Sequence, residues 1–409
     1  MKIKKYSYSI IAFLLVICLS ILSLPSFAIT AAAQDIDYTA ENRARDFLLS
    51  VYGAKELYYD EMSTLYSVEL YDDEDEVIAQ ASIFDRDGKI DYAIYNYITE
   101  SIDEYGFDCP DVLNDFPAEG KTYYAGVFNY YSSVSNMFVN NFSGETVTQS
   151  QLHNKIRDFK GKAHERRDSK FGNSSKPGNG SNGIIDWKEI KENRTSGWEN
   201  SDWGYLDGIT WGSTTDTNGI SGDGLSFSTM NSFSNGGAIT NHCGPTALTN
   251  IMVYYDWLGM DTLLNGSRQD TFNRLRTLCK HDQNNTTYMS DARSALKTYM
   301  SEMGYSVSLT NFNNNFDKYK KAIDDDKIVL TLLNVTESDG DSWGHFVVTL
   351  GYEEFRQSYE KQVLWWTVTD YNYLRYIRVC DGWGSCNNNR YVDLNNFYDS
   401  YTNSAITIN

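Results

Sequence analysis

The sequence predicts an α+β protein of two domains, and three observations carry that reading. A helix-and-meander pattern fills the first third of the chain, and a serine-, glycine- and asparagine-rich stretch follows it. Beyond that stretch the pattern changes to helices followed by strands.

In the first domain, expected over residues 35–160, Ala44, Phe47, Leu48 and Val51 recur at helical spacing within residues 41–53. Residues 63–71, 77–84 and 89–96 are rich in β-branched and aromatic side chains and are separated by DDEDE and DRDG. They read as a meander packed on the helix. Asp85, Asp87 and Asp91 lack the spacing of a twelve-residue calcium loop, so DRDG is expected to be a hairpin turn. Residues 161–200 include ERRDSK and FGNSSKPGNGSNG, which reads as an exposed, protease-sensitive linker.

The second domain is expected over residues 201–409. Ala247, Leu248, Ile251, Met252 and Tyr255 mark one face of a helix over residues 245–258, and a second helix spans 290–303 with Ser290 as its cap. Residues 328–333, 345–352, 363–369 and 373–381 have strand character, and three of these strands can form an antiparallel sheet.

Ahead of both domains, Lys2, Lys4 and Lys5 precede an apolar run over residues 10–24, then Pro25, Ser26, Phe27 and Ala28. Residues 1–28 read as a secretory signal peptide, and the apolar run is shorter than the roughly 20 residues of a spanning helix. The mature chain is therefore expected to be secreted and extracellular, with no membrane partner after signal cleavage. With 35 basic and 55 acidic residues the formal charge is −20, and loss of the three signal lysines takes it to −23. Such a chain is a poor partner for nucleic acid, whose phosphates are bound by excess cation.

Of six cysteines, five remain after residue 28: Cys109, Cys243, Cys279, Cys380 and Cys386. An odd, sparse set leaves at least one thiol free. Cys380 and Cys386 have the spacing for a local disulfide, whereas Cys109 and Cys279 read as packing thiols. Cys243 differs from all of them, because Pro245 fixes a helix start within a residue or two of it. Unpaired N–H groups and the helix dipole favour a thiolate there.

A thiolate nucleophile needs an imidazole to hold its proton and to protonate a leaving amine. Of five histidines, His153 and His164 fall in the first domain or linker, His242 adjoins the cysteine, and His281 lies in the loop-like KHDQNN. His345 opens HFVVTLGY and is expected to stand at a sheet edge facing the helix end. Asp381, ending YIRVCDGWG, is placed to hold the imidazole.

CGPTALTNIMVYY, KIVLTLLN, GHFVVTLGY and VCDGWG together resemble the papain-like cysteine peptidases, in particular the bacterial branch with streptopain and the double-glycine leader peptidases. The resemblance covers roughly residues 203–409. It implies Cys243 as nucleophile, His345 as general base and acid, and Asp381 as the orienting residue, with no metal or organic cofactor. It also implies a small α+β prosegment-like domain that acts as an intramolecular inhibitor of a secreted endopeptidase. The partner is then a protein or peptide substrate. One departure stands out: Gly237 and Ala238 occupy the place of the family's oxyanion-hole glutamine, leaving Asn241 or Asn235 with the Cys243 backbone N–H. Other acyl transfer, cell-wall peptide hydrolysis and a catalytically idle binding module are the rival readings.

Overall fold

The first helix follows its apolar spacing. In the computed structural model, α1 (Tyr38–Ala54) packs Ala44, Phe47, Leu48 and Val51 into a core with Phe84, Tyr95 and Tyr105. The structure describes residues 38–54, 62–110, 112–170, 193–194, 199–206, 225–233, 241–281, 286–336, 342–363, 366–383, 390–394 and 400–408. The expected signal peptide lies outside them. Among the described residues, no helix is long and apolar enough to cross a membrane.

The expected meander is present as β1 (Ser63–Tyr71), β2 (Val77–Arg86), β3 (Lys89–Asn96) and β4 (Ser101–Gly106), each antiparallel to the next. Its DRDG segment is a two-residue hairpin turn, with φ at +55° for Asp87 and +79° for Gly88. Asp91 is turned inward, where it accepts hydrogen bonds from the Tyr52 hydroxyl at 2.5 Å and from Arg86 Nε at 2.8 Å.

Next come α2 (Val112–Asp115), β5 (Thr122–Tyr124), β6 (Tyr130–Val134), β7 (Met137–Asn140), β8 (Thr146–Val147) and α3 (Gln149–Lys170). Helix α3 takes in the first ten residues of the stretch expected to be a linker. Leu152, Ile156, Phe159 and Ala163 are buried along one side of it. Thr148 and Gln151 close its start reciprocally, each accepting the other's backbone N–H. Residues 171–192 of the expected linker lie outside the described residues.

The C-terminal half begins with β9 (Asn193–Arg194) and β10 (Glu199–Tyr205), followed by helices α4 (Cys243–Trp257), α5 (Arg268–Leu278) and α6 (Met289–Glu302). Strand β11 (Val307–Asn313) and helix α7 (Phe316–Asp324) lead to β12 (Val329–Thr336), β13 (Ser342–Val363), β14 (Trp366–Cys380), β15 (Arg390–Asp393) and β16 (Ser400–Ile408). Two expectations are corrected. Ser290 is the second residue of α6, not its cap; the cap position is Tyr288, because buried Met289 already anchors the first turn. The stretch 345–352 is part of the longer β13, whereas the stretch expected as one strand over 363–369 holds the end of β13 at Val363 and the start of β14 at Trp366, with 364–365 outside the described residues. Pairing with β14, β10 and β9 carries β13 well past its apolar segment.

Helix α4 is buried on all sides from Gly244 to Tyr255, not on one face alone. Leu248 and Ile251 each contribute about 1.5–3 kcal/mol by burial. The polar residues in the helix are satisfied: Thr249 Oγ1 donates to the Pro245 carbonyl at 2.8 Å, and Asn250 exchanges hydrogen bonds of 2.7 and 2.9 Å with the Ser228 backbone. Against this helix lies the antiparallel set β12, β13 and β14.

The strands of both halves form one sheet in the order β11-β16-β12-β13-β14-β15-β4-β3-β2-β1-β5-β6-β7-β8. Thr39–Asn409 is a single contact unit. The halves meet where β15 pairs with β4, matching Arg390 to Gly106, Tyr391 to Tyr105 and Val392 to Glu104. Tyr105 and Tyr391 stack there with centroids 4.7 Å apart.

Candidate active site

The first hydrogen bond within α4 runs from the Thr246 N–H to the His242 carbonyl at 3.1 Å. Cys243, Gly244 and Pro245 therefore make up the first turn, and the N–H that proline lacks would have had no helical acceptor there. Gly244 has a packing reason: a Cβ on it would sit 2.7 Å from Thr287 Cβ. Its absence lets the segment leading into α6 close on the helix start. His242 occupies the cap position, with Nδ1 3.2 Å from Thr246 Oγ1 and its ring against Phe272. It packs the helix start.

The Cys243 sulfur is partly buried, close to the backbone N–H groups of Phe346, Gly244 and Cys243 itself, which favour its charged form. Phe346 directly follows His345 on β13. The helix start is thus docked on the strand beside the imidazole. Burial pushes the thiol above its ordinary pKa, and the three N–H groups only partly offset it.

His345 lies on an interior strand, paired with Leu333 of β12, and not at the sheet edge expected from the sequence. The space beside it opens because β14 ends at Cys380, opposite Val348, and the chain turns away at Asp381. The Asp381 carbonyl accepts a hydrogen bond from His345 Nε2 at 2.7 Å. Since a carbonyl can only accept, the proton is on Nε2 and Nδ1 carries the lone pair. Trp383 stacks on the imidazole and Phe128 meets it edge-on. Burial lowers the His345 pKa to about 4, against the smaller raising effect of the Asp381 carbonyl.

The Asp381 side chain is engaged elsewhere. Its Oδ1 accepts the Trp383 backbone N–H at 2.8 Å, and its Oδ2 is 3.1 Å from Arg390 Nε. Asp381 therefore meets His345 through its main chain, while its carboxylate braces the turn that holds Trp383. Arg390 is fully buried, with Nη1 2.5 Å from Glu104 and Nη2 3.3 Å from Asp115. The rings of Phe128 and Phe142 lie 5.4 and 4.5 Å from its guanidinium carbon, and Phe142 also meets Trp383 edge-on at 4.2 Å.

The structure thus joins His345 to the Asp381 carbonyl, and sets the helix that begins at Cys243 against the strand that carries His345. Sequence reasoning missed Trp383, Arg390, Phe128, Phe142, Glu104 and Asp115 at this place. The DGWG run could have flagged Trp383; the others join over long separations with no local signal.

Cys380 is buried and its sulfur accepts a hydrogen bond from Asn250 Nδ2 at 3.3 Å. Cys386, with which its spacing would allow a local disulfide, lies outside the described residues. So do Asn235, Gly237 and Ala238 of the expected oxyanion hole, whereas Asn241 is exposed with φ at +61°. Among the described residues, one carboxylate trio, Asp72, Glu74 and Glu76, has metal-like spacing. Asp72 there accepts the Glu74 and Glu76 N–H groups and Lys160 Nζ, as a turn residue does.

Residues 225–406 match the model of the Peptidase_C39 like family. This stretch is similar to C39-like peptidases. No curated protein matches the chain. The C39-like region holds Cys243, His345, Asp381, Trp383 and Arg390, and it supports a cysteine peptidase hydrolase. Phe128, Phe142, Glu104 and Asp115 come from outside that region.

Proposed function

We propose that this chain is a papain-like cysteine endopeptidase, secreted and made as a proenzyme, that cleaves peptide bonds through an acyl-enzyme on Cys243. The docking of the α4 start against β13, next to an imidazole whose Nε2 is held by Asp381, carries this reading. In the reaction, Nδ1 of His345 takes the Cys243 proton and the thiolate attacks the scissile carbonyl carbon. The imidazolium then protonates the leaving amine as the C–N bond breaks, and a water activated by His345 hydrolyses the thioester. Backbone N–H groups at the helix start are suited to the oxyanion that forms at each addition.

The proenzyme part of the reading rests on the state of the two groups. With the thiol pushed up and the imidazole pushed down to about 4, both are neutral at pH 7. The thiolate–imidazolium pair that attacks a peptide needs the opposite shifts. Residues 35–160 act as the inhibitory prosegment, and residues 161–200 are the stretch in which processing separates it from the peptidase.

The test is incubation of the reduced, purified chain with casein and, separately, with peptidoglycan, followed by mass spectrometry of the products. Cleaved casein together with a new N-terminus between residues 161 and 200 supports the proposal. Cleaved peptidoglycan with intact casein would replace it with cell-wall hydrolysis, and no product from either would leave a binding module.

A further inference from the structure

We propose that Arg390 is the latch through which the N-terminal half keeps the candidate site shut, with Glu104 and Asp115 as its keepers and Phe128 and Phe142 as its cap. The proposal rests on the peptidase reading and names how that same site is regulated.

Arg390 is the first residue of β15, on the C39-like side of the joint. Its guanidinium lies among Tyr92, Phe128, Phe142, Glu104 and Asp115, all supplied by the N-terminal half. Its own half gives it an ion pair with Asp381, the residue whose carbonyl holds His345. One side chain thus joins the N-terminal half to the turn that positions the imidazole.

Glu104 is itself fixed in place, accepting from the hydroxyls of Tyr92 and Tyr130 as well as from Arg390. Removing one member of a buried charge cluster leaves the others uncompensated, so the contact opens as a unit and not gradually. The two rings act on the other side. Phe142 fits between the Trp383 edge and the Arg390 guanidinium, and Phe128 touches the Arg390 guanidinium, the imidazole and the indole. They keep water and substrate from His345 while the latch is closed. When Glu104 and Asp115 leave, Arg390 keeps Asp381, the rings withdraw, and the imidazole regains water.

The experiment is the rate at which an uncharged thiol-reactive electrophile, iodoacetamide, modifies each cysteine of the full chain, read by peptide mass spectrometry, with peptide hydrolysis measured alongside. Glu104→Gln and Asp115→Asn together should speed modification of Cys243 at least tenfold and leave buried Cys279 unmodified. An unchanged Cys243 rate in a folded variant would overturn the latch. If Cys109, Cys279 and Cys380 react together with Cys243, the fold has been lost, and Phe142→Ala decides: faster Cys243 modification supports the proposal, and an unchanged rate refutes it. Faster modification without peptide hydrolysis keeps the latch and defeats the peptidase reading. Hydrolysis with no gain in modification does the reverse.

Discussion

The imidazole of His345 lies flat on the indole of Trp383, with ring centroids 3.9 Å apart and the planes 7° from parallel. The Nε2 of the same ring is tied to the carbonyl of Asp381, two residues before Trp383. A three-residue turn therefore both shields the imidazole and fixes its tautomer.

That shielding makes a pH prediction. With a folded pKa of about 4 and an ordinary value of 6.5, His345 binds a proton in the unfolded chain before it does in the folded one. The stability it contributes is present above pH 6.5 and is lost as pH falls to about 4, a change of about 3 kcal/mol. Asp103 and Asp115, raised to about 7 by burial, act oppositely: their contribution is lost as pH rises through 7. Urea unfolding of Cys243→Ala with and without His345→Gln, at pH 4 and pH 7, separates the two effects. The gap in unfolding free energy between the two chains should widen toward neutral pH. An equal gap at both pH values would mean that His345 is not buried as described.

Asp381 offers a second test, because its backbone and side chain have different tasks. Asn at this position keeps an acceptor for the Trp383 N–H, so Asp381→Asn should lower kcat/KM by less than about tenfold, a displacement well under 1 Å. Ala keeps the carbonyl that His345 uses but releases the turn and Arg390. A misplacement of about 1 Å costs on the order of 10²-fold, and that is the loss expected for Asp381→Ala. Steady-state kinetics of both variants on one peptide checks the order; equal losses would show that the side-chain brace is irrelevant.

Gly244 concerns stability. A methyl group there must push against Thr287, and overpacking of this kind costs about 1–3 kcal/mol. Gly244→Ala should lower the Tm by several degrees, and Thr287→Gly added to it should recover part of the loss. No recovery in the double variant would place the strain elsewhere.

What could be read from the sequence was mostly local. Pro245 and the apolar run after it located the start of α4 to within two residues, and the β-branched runs placed His345 on a strand and Asp381 directly after the end of one. Helix α3 was legible but unread: Leu152, Ile156, Phe159 and Ala163 have helical spacing, and Thr148 with Gln151 forms a capping box. Its last ten residues adjoin the serine-, glycine- and asparagine-rich run and read as part of it. The Arg390 cluster was not legible, because Glu104 and Asp115 are 286 and 275 residues from Arg390 and only the β4–β15 pairing brings them near. The use of a carbonyl in place of a carboxylate at His345 could not be read either, since it depends on which way one turn faces.

The most direct test of the account is hydrolysis of one peptide substrate by the wild-type chain and by Cys243→Ala under reducing conditions. Alanine suits the first turn of α4, so the variant should fold as the parent does, with the same Tm within a few degrees. Its rate should fall at least about a thousandfold, as is typical when a nucleophile is removed, and no new N-terminus should appear. A folded variant that keeps more than about one part in a thousand of the parent's activity would contradict the assignment of Cys243.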